Sequence, residues 1–338
     1  MSLDSRIKAF AQLSDCINEN NEELQSVVVQ ACLKNPWFNK ENVWKALLAI
    51  KQQFLDESLL KAWLSHYDSN QFTGGKNVGL VLAGNIPLVG FHDVLSVLLT
   101  GHNALIKYSE KDKVLTSYLI EQLIKKSPEF ESRIKSVERL KSFDALIATG
   151  NNTTGAHFEK YFSHVPNIIR KNRHAVGVIF KDDSVASLKP IGEDVFAYFG
   201  LGCRNISKLY IEDGFKLDTF FEAIYDYNHV INHNKYKNNY DYSNALFLLN
   251  QVSFLSNNFL LLKCDEEISS RIATLHYSYF NKASDVEKEL MVKKDQIQCV
   301  LSNKTLDNQR TFKLGSAQQP GLMDYADNVD TVSFLNKL

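Results

Sequence analysis

Cys203 is the residue in this chain best placed to do chemistry. It lies in Gly200-Leu-Gly-Cys-Arg-Asn-Ile-Ser207, directly after two closely spaced glycines. Glycines at such a turn let backbone and ligand approach closely and leave the sulfur uncovered. A thiol there can be ionised by nearby positive charge or by aligned backbone N–H groups, and the thiolate is the nucleophile. Arg204 is its neighbour in sequence. The same stretch, taken alone, also fits a buried structural cysteine, the commoner role of a free thiol. Cys16, Cys32, Cys264 and Cys299 are far apart and form no CxxC. They read as free thiols of a reducing compartment, not as a disulfide frame or zinc site. His157, His164, His174, His229 and His233 lack the spacing of metal ligands, so no metal is expected.

The elements that must position this thiol are a helix before it (Glu193, Val195, Phe196, Tyr198, Phe199) and a strand after it (208–211). Upstream, the apolar strand 78–83 ends at Gly84-Asn85-Ile86-Pro87. A helix carrying Phe91, Val94, Leu95, Val97 and Leu98 follows, then the strand 104–107. Such a unit has parallel strands with its ligand side at their carboxyl ends, where Asn85 and Lys107 fall. A helix over 113–125 leads to a third strand, 143–148, which runs into a turn rich in Gly, Asn and Thr at 149–155. A turn of that kind at a helix start can present N–H groups to a phosphate. A fourth strand is read at 175–180, and the alternation predicts a doubly wound α/β sheet. No GxGxxG is present, and Thr73-Gly74-Gly75-Lys76 lacks the spacing of a phosphate loop.

Residues 1–75 read as helices, with Ile7, Phe10 and Leu13, and later Val43, Leu47, Leu48, Ile50 and Phe54, at three- and four-residue steps. Trp37, Trp44 and Trp63 are read as packing residues. Lys235-Tyr236-Lys237-Asn238-Asn239-Tyr240 reads as a solvated loop, with a site for coenzyme A phosphates or an acyl carrier as the alternative. The expected domains are 1–75, a helical segment; 76–185, a cofactor domain; 186–315, a catalytic domain; and 316–338, a tail returning to the core.

Hydrophobic content is 44% and charged content 23%, ordinary for a globular protein with a full core. The formal net charge of -1 argues against nucleic acid or a membrane surface as partner. The N-terminus is polar, and no apolar run approaches the ~20 residues of a membrane helix. A cytoplasmic location is expected.

Three features stand together in order: an Asn turn after the first strand, a lysine after the second, and the glycine-flanked cysteine. Lys107-Tyr-Ser-Glu110 resembles the Lys-Pro-Ser-Glu of the aldehyde dehydrogenase superfamily, and Ala148-Thr-Gly-Asn151 resembles its Phe-Thr-Gly-Ser turn. Within it the chain is most similar to the acyl-CoA reductases related to the fatty-acid reductase of bacterial bioluminescence. Ala83 to Asp93, Ile168 to Arg173, Tyr198 to Lys208 and Asp324 to Thr331 carry that likeness, which spans roughly 76–335.

The resemblance implies an aldehyde-dehydrogenase-like fold with a Rossmann-type cofactor domain. It implies that Cys203 attacks a thioester, with the Asn85 side chain and the Cys203 N–H holding the oxyanion. Lys107 would bind the cofactor's adenosine ribose, with Ser109 and Glu110 nearby, and Thr149, Gly150 and Asn151 would approach the pyrophosphate. The cofactor would be NADPH or NADH, and the substrate a fatty acyl-CoA or other acyl thioester, delivered in one version by an acyl carrier or acyl-transferring protein. The strand pair that commonly makes the superfamily's dimers is not found, so a homo-oligomer is left open. The hydrolytic members carry a glutamate base in Glu-Leu-Gly-Gly; here 169–175 reads Ile-Arg-Lys-Asn-Arg-His-Ala, without a carboxylate. Without that base the acyl-enzyme should resist water, as a reductase requires. Asn151 and Tyr108 depart from the superfamily's serine and proline. The alternatives are a pseudoenzyme or scaffolding subunit with this fold, and a dehydrogenase running from aldehyde to acyl-CoA.

Overall fold

A computed structural model describes all residues except 69, 71, 151–154, 156, 157 and 159. The chain forms two compact units, Met1–Asn172 with Pro320–Leu338, and Arg173–Gln319.

The first unit opens with helices α1 (Leu3–Leu13), α2 (Glu22–Lys34), α3 (Lys40–Phe54) and α4 (Glu57–Leu64). Each starts at a side-chain cap. Ser2, Asn21, Asn39 and Asp56 accept hydrogen bonds from the backbone N–H groups of Ser5, Leu24, Asn42 and Leu59. Such caps are worth about 1 kcal/mol each. The apolar spacing expected from the sequence buries Ile7, Phe10 and Leu13 on α1 and Val43, Leu47 and Ile50 on α3.

The sheet of this unit is parallel throughout: β1 (Asn77–Val81), β2 (Asn103–Lys107), β3 (Ile134–Ser136), β4 (Ala145–Thr149) and β5 (Asn167–Arg170), in the order β3-β2-β1-β4-β5. In β1, Val78 lies between Ala104 and Ala145. Helices α5 (Phe91–Leu99) and α6 (Lys113–Lys126) make crossovers. Helices α1 and α2 pack on α6, and Phe10 meets Phe91 and Phe130 edge-on at 6.5 and 5.7 Å. The N-terminal helices thus share one core with the sheet. The tail returns to it through Leu322, Tyr325, Val332 and Leu335. Trp63 Nε1 donates to the Tyr325 hydroxyl at 2.7 Å, and Tyr67 donates to Asp330 at 3.0 Å.

Arg170, at the end of β5, makes a bidentate ion pair with Asp93 of α5, at 2.5 and 2.7 Å, and its Nη2 also donates to Thr331 Oγ1 at 3.2 Å. Both charged side chains are buried.

The second unit holds β6 (His174–Ile179), α7 (Val185–Leu188), α8 (Ile191–Phe196), β7 (Ile206–Glu212), α9 (Leu217–Ala223), α10 (Asn234–Leu249), β8 (Leu255–Ser256), β9 (Leu261–Cys264), β10 (Thr274–Phe280), α11 (Ala283–Val292), β11 (Ile297–Ser302) and β12 (Thr311–Phe312). Its strands run β12-β11-β6-β7-β10-β9-β8, parallel except where β8 meets β9.

Three details differ from the sequence reading. The strand at His174–Ile179 pairs with β7 and β11, so the division between units falls at 172/173, where the reading puts it at 185. Sheet membership is a long-range property that strand patterning does not carry. The short strands β3 and β5 have too few residues to show a period. The stretch 235–240 lies in helix α10, not in a loop: Tyr236, Tyr240 and Phe247 fall at helical spacing and are buried, which overrides the weak helix propensity of its asparagines. Among the described residues, no helix is long and apolar enough to cross a membrane.

Arg170→Met should leave the Asp93 carboxylate buried without its partner and cost about 3–5 kcal/mol of stability. The double variant Asp93→Leu with Arg170→Met should recover most of that loss in denaturant titrations. Equal destabilisation of the single and double variants would mean the pair holds nothing together.

Candidate active site

The Cys203 turn is built by its neighbours in the second unit. Helix α8 stops at Phe196, and Tyr198, Phe199 and Gly200 all take left-handed backbone conformations (φ 52°, 58° and 78°). For the two aromatics this costs of order 1–2 kcal/mol each. Both rings are buried, and Phe199 stacks on His233 at 4.0 Å. The buried Asn205 then ties the turn together. Its Oδ1 accepts from the Gly202 N–H at 2.8 Å, and its Nδ2 donates to the carbonyls of Asp194 and Ala197 at 3.0 and 2.9 Å. Its own backbone N–H donates to the Gly202 carbonyl at 3.1 Å. Cys203 sits half-buried between these anchors, immediately before β7.

Asp194 holds the other side of α8. Its carboxylate accepts from the backbone N–H groups of Gly315 and Ala317. Burial pushes its pKa up to about 7, against those two hydrogen bonds, which lower it. Helix α8 also packs tightly elsewhere: a Cβ at Gly192 would lie 2.2 Å from the Tyr227 ring.

The other sequence-predicted residues lie in the first unit. Asn85 is exposed in the turn after β1, and Lys107 and Glu110 are exposed and Ser109 half-buried after β2. Parallel pairing of β1 and β2 puts both loops at one edge of the sheet. Thr149 ends β4 at that edge, paired with Arg170. The Gly150 N–H donates to the Arg170 carbonyl at 3.2 Å, so it serves the sheet. Asn151 lies outside the described residues.

These residues suit a nicotinamide dinucleotide in type and placement. A Cβ at Gly84 would come 2.5 Å from Ser109 Oγ, so the two loops meet backbone to side chain with no room between them. That leaves the ammonium of Lys107 and the carboxylate of Glu110 at the edge, where ribose hydroxyls can be bound.

Two residues that brace these loops are missing from the sequence reading. Asp112 Oδ2 accepts from the Leu88 N–H at 2.8 Å and from Thr116 Oγ1 at 3.1 Å, joining the Asn85 turn to the loop after Lys107. Leu88 itself is left-handed (φ 58°). Asn35, the C-cap of α2, donates from Nδ2 to the carbonyls of Gly84 and Lys111 at 3.4 and 3.3 Å. The signal for Asp112 was its place at the start of a helix; Asn35 carries none.

Asp112 is enclosed, and desolvation pushes its pKa up to about 8 from an ordinary value of 3.8. Its folded pKa is therefore above the unfolded one. The stability this carboxyl contributes is complete below about 3.8 and is lost as pH rises through about 8. Asp112→Asn, which mimics the neutral acid, should match the parent protein below about pH 4 and exceed it in melting temperature at pH 8–9. Parallel pH–Tm curves for the two proteins would show that Asp112 is not protonated in the folded state.

The acyl-CoA reductase (LuxC) family matches residues 11–146. No curated protein sequence matches the chain. Aldehyde dehydrogenase 21 from Physcomitrella patens, solved with the reaction product succinate, is 13% identical. That likeness covers 100% of this chain and 84% of that one, with a TM-score of 0.72. Betaine aldehyde dehydrogenase from Staphylococcus aureus, solved with NAD+, is 14% identical over 89% of this chain and 70% of that one, with a TM-score of 0.67. An indole-3-acetaldehyde dehydrogenase, also solved with NAD+, is 12% identical over 89% and 72%, again at 0.67. At such identities the likeness is one of fold. The family match begins inside α1, so it takes in the N-terminal helices, to which the sequence reading gave little of the resemblance. The chain has the aldehyde dehydrogenase fold and is similar to the acyl-CoA reductases over residues 11–146.

Proposed function

We propose that the protein is an acyl-CoA reductase of the acylating aldehyde dehydrogenase type, making an aldehyde from a fatty acyl thioester with NADPH or NADH. The observation that carries this is the acyl-CoA reductase match over residues 11–146, in a chain whose Cys203 stands on a strained, fully braced turn. Cys203 Sγ attacks the thioester carbonyl carbon. The Asn85 amide is assigned to the oxyanion, because donors preorganised at that oxygen contribute most when charge develops there. The bond from the acyl carbon to the leaving sulfur breaks, and the coenzyme leaves as its thiol, giving an acyl-Cys203 thioester. The nicotinamide cofactor, when bound, supplies the reducing equivalent that takes this acyl group to the aldehyde level. Breaking the Sγ–carbon bond then releases the aldehyde and regenerates the thiolate. Lys107, Ser109 and Glu110 are assigned to the adenosine ribose, and Thr149 to the pyrophosphate. Asn151 is proposed for the same role from the resemblance alone.

The stretch 169–175 has no carboxylate to activate water. Water without a partner for its proton is a poor acceptor in a site that excludes bulk solvent. Incubation with an acyl-CoA and no reduced cofactor should therefore leave one acyl mass on Cys203 that persists. NADPH or NADH should discharge it as aldehyde, and added thiol as thioester. Cys203→Ala should gain no mass, whereas variants of Cys16, Cys32, Cys264 and Cys299 should label normally. Fatty acid released as fast as aldehyde would point to a base such as Glu193 and defeat the reading; acylation of another cysteine would move the site.

Asn85→Ala should lower kcat by ~10²–10³-fold with little change in cofactor affinity. A variant with normal kcat would return Asn85 to the role of a turn residue.

A further inference from the structure

At the amino ends of β1, β2 and β3 the first unit has a second cluster of basic groups. Because these strands are parallel, this edge lies opposite the one carrying Asn85 and Lys107, about 16 Å away along a five-residue strand. Arg6 of α1 is only 4% exposed. Its Nε–H is enclosed and has no hydrogen-bond partner among the described residues. No carboxylate pairs with its guanidinium among the described residues. The charge that acts on it is that of Arg133, of like sign, and burial with this repulsion lowers its pKa to about 10. Burying a guanidinium beside another cation, without an anion, is among the costliest arrangements in a protein interior.

The surroundings are shaped around these cations. Gly101 takes φ +90°, and a Cβ there would lie 2.2 Å from Arg6 Nη1. Gly74 takes φ +65°, and a Cβ on it would lie 2.1 Å from the Gly101 carbonyl oxygen. That carbonyl accepts from the Gly75 N–H at 3.1 Å and from Arg133 Nη1 at 2.6 Å. Arg6 and Arg133 therefore flank one peptide, with glycines on both sides of it. Exposed Lys76 follows, and its backbone N–H donates to His102 Nδ1 at 3.3 Å. His102 Nε2 donates in turn to the Leu335 carbonyl at 3.1 Å. Burial, helped by Arg6 and Lys76, lowers the His102 pKa and keeps that ring neutral. The nearby carboxylate, Asp144, accepts from the Asn77 N–H at 2.7 Å.

We propose that Arg6 and Arg133 bind a small oxyanion of the phosphate class at the amino edge of the first sheet, apart from the cofactor edge. Guanidinium groups are the side chains best suited to a tetrahedral oxyanion, and beside them Gly75 has open space where a side chain would stand. The ligand is either the free ion or a phosphomonoester.

The test uses the full chain in a buffer free of oxyanions, at constant ionic strength set with chloride. Inorganic phosphate should raise Tm saturably, by roughly 5 °C once it exceeds Kd about a hundredfold. Arg6→Met should abolish the response and, having removed a buried charge, melt higher than the parent protein when phosphate is absent. Should Arg6→Met fail to fold, Arg133→Met takes its place and should weaken phosphate binding at least tenfold by calorimetry. Glycerol 3-phosphate, which carries no adenosine ribose for the cofactor edge, is run in parallel and separates the sources: tighter binding than phosphate indicates a phosphomonoester, and equal or weaker binding the free ion. A parent protein that responds to phosphate no more than to chloride overturns the proposal, as does a full response in the arginine variants. Reductase activity does not enter these readouts, so the outcome is independent of the function proposed above.

Discussion

A buried ion pair sets the geometry of the first unit. Arg170 and Asp93 are enclosed, and each guanidinium nitrogen that faces the carboxylate donates to its own oxygen. The Coulomb gain of such a pair roughly offsets the cost of desolvating it, so its value is in orientation. Three elements distant in sequence meet there: α5, β5 and the C-terminal helix through Thr331. The Arg170 carbonyl also receives the Gly150 N–H, which fixes the start of the turn after β4. Arg6 is the instructive contrast. It is equally buried in the same unit, yet its charge meets another cation and no carboxylate among the described residues. The charge of one arginine is met by a carboxylate within the fold, and that of the other by none among the described residues.

The second unit ties its turn together through side chains that bond the backbone. Asn205 uses both ends of its amide on the backbone around Cys203, and Asp194 clamps the backbone at Gly315 and Ala317. A neutral amide suits this place better than a charge would. It satisfies carbonyls left over at the end of α8 without adding a field next to the thiol, and burial leaves it no competing water. The left-handed run Tyr198–Gly200 is the strain that this bracing supports. Strain of a few kcal/mol survives only where surrounding contacts over-determine the backbone, and such places are concentrated at functional sites.

Much of this was legible in the sequence. The strand–turn–helix order around Asn85 and Lys107, the helices of the first 75 residues and the turn at Cys203 follow from local period and glycine placement, which are local physics. What stayed hidden depends on partners far along the chain. The pairing of His174–Ile179 with β7 and β11 is one case. The helix α10 is another, since asparagine-rich composition speaks for a loop until Tyr236 and Tyr240 are seen to be buried. Asn35, Asp112 and Asn205 are short polar residues of kinds that occur in any turn. Only burial distinguishes them, and burial is not written in a residue's neighbours.

The N-terminal helices show how such hidden contacts join fold to chemistry. Phe10, Leu13, Ile17 and Leu24 contribute to the same core as Val78, Leu80 and Ile106 of the sheet. Burying each such side chain is worth about 1.5–3 kcal/mol, so the sheet and these helices stabilise one another. One consequence reaches the cofactor edge, where Asn35 holds the Gly84 and Lys111 carbonyls. Another reaches the amino edge, where α1 carries Arg6 against Gly101. A parallel sheet gathers all its carboxyl-end loops on one side and all its amino-end loops on the other, so its two edges can serve different ligands. The N-terminal helices touch both edges while forming no strand of the sheet.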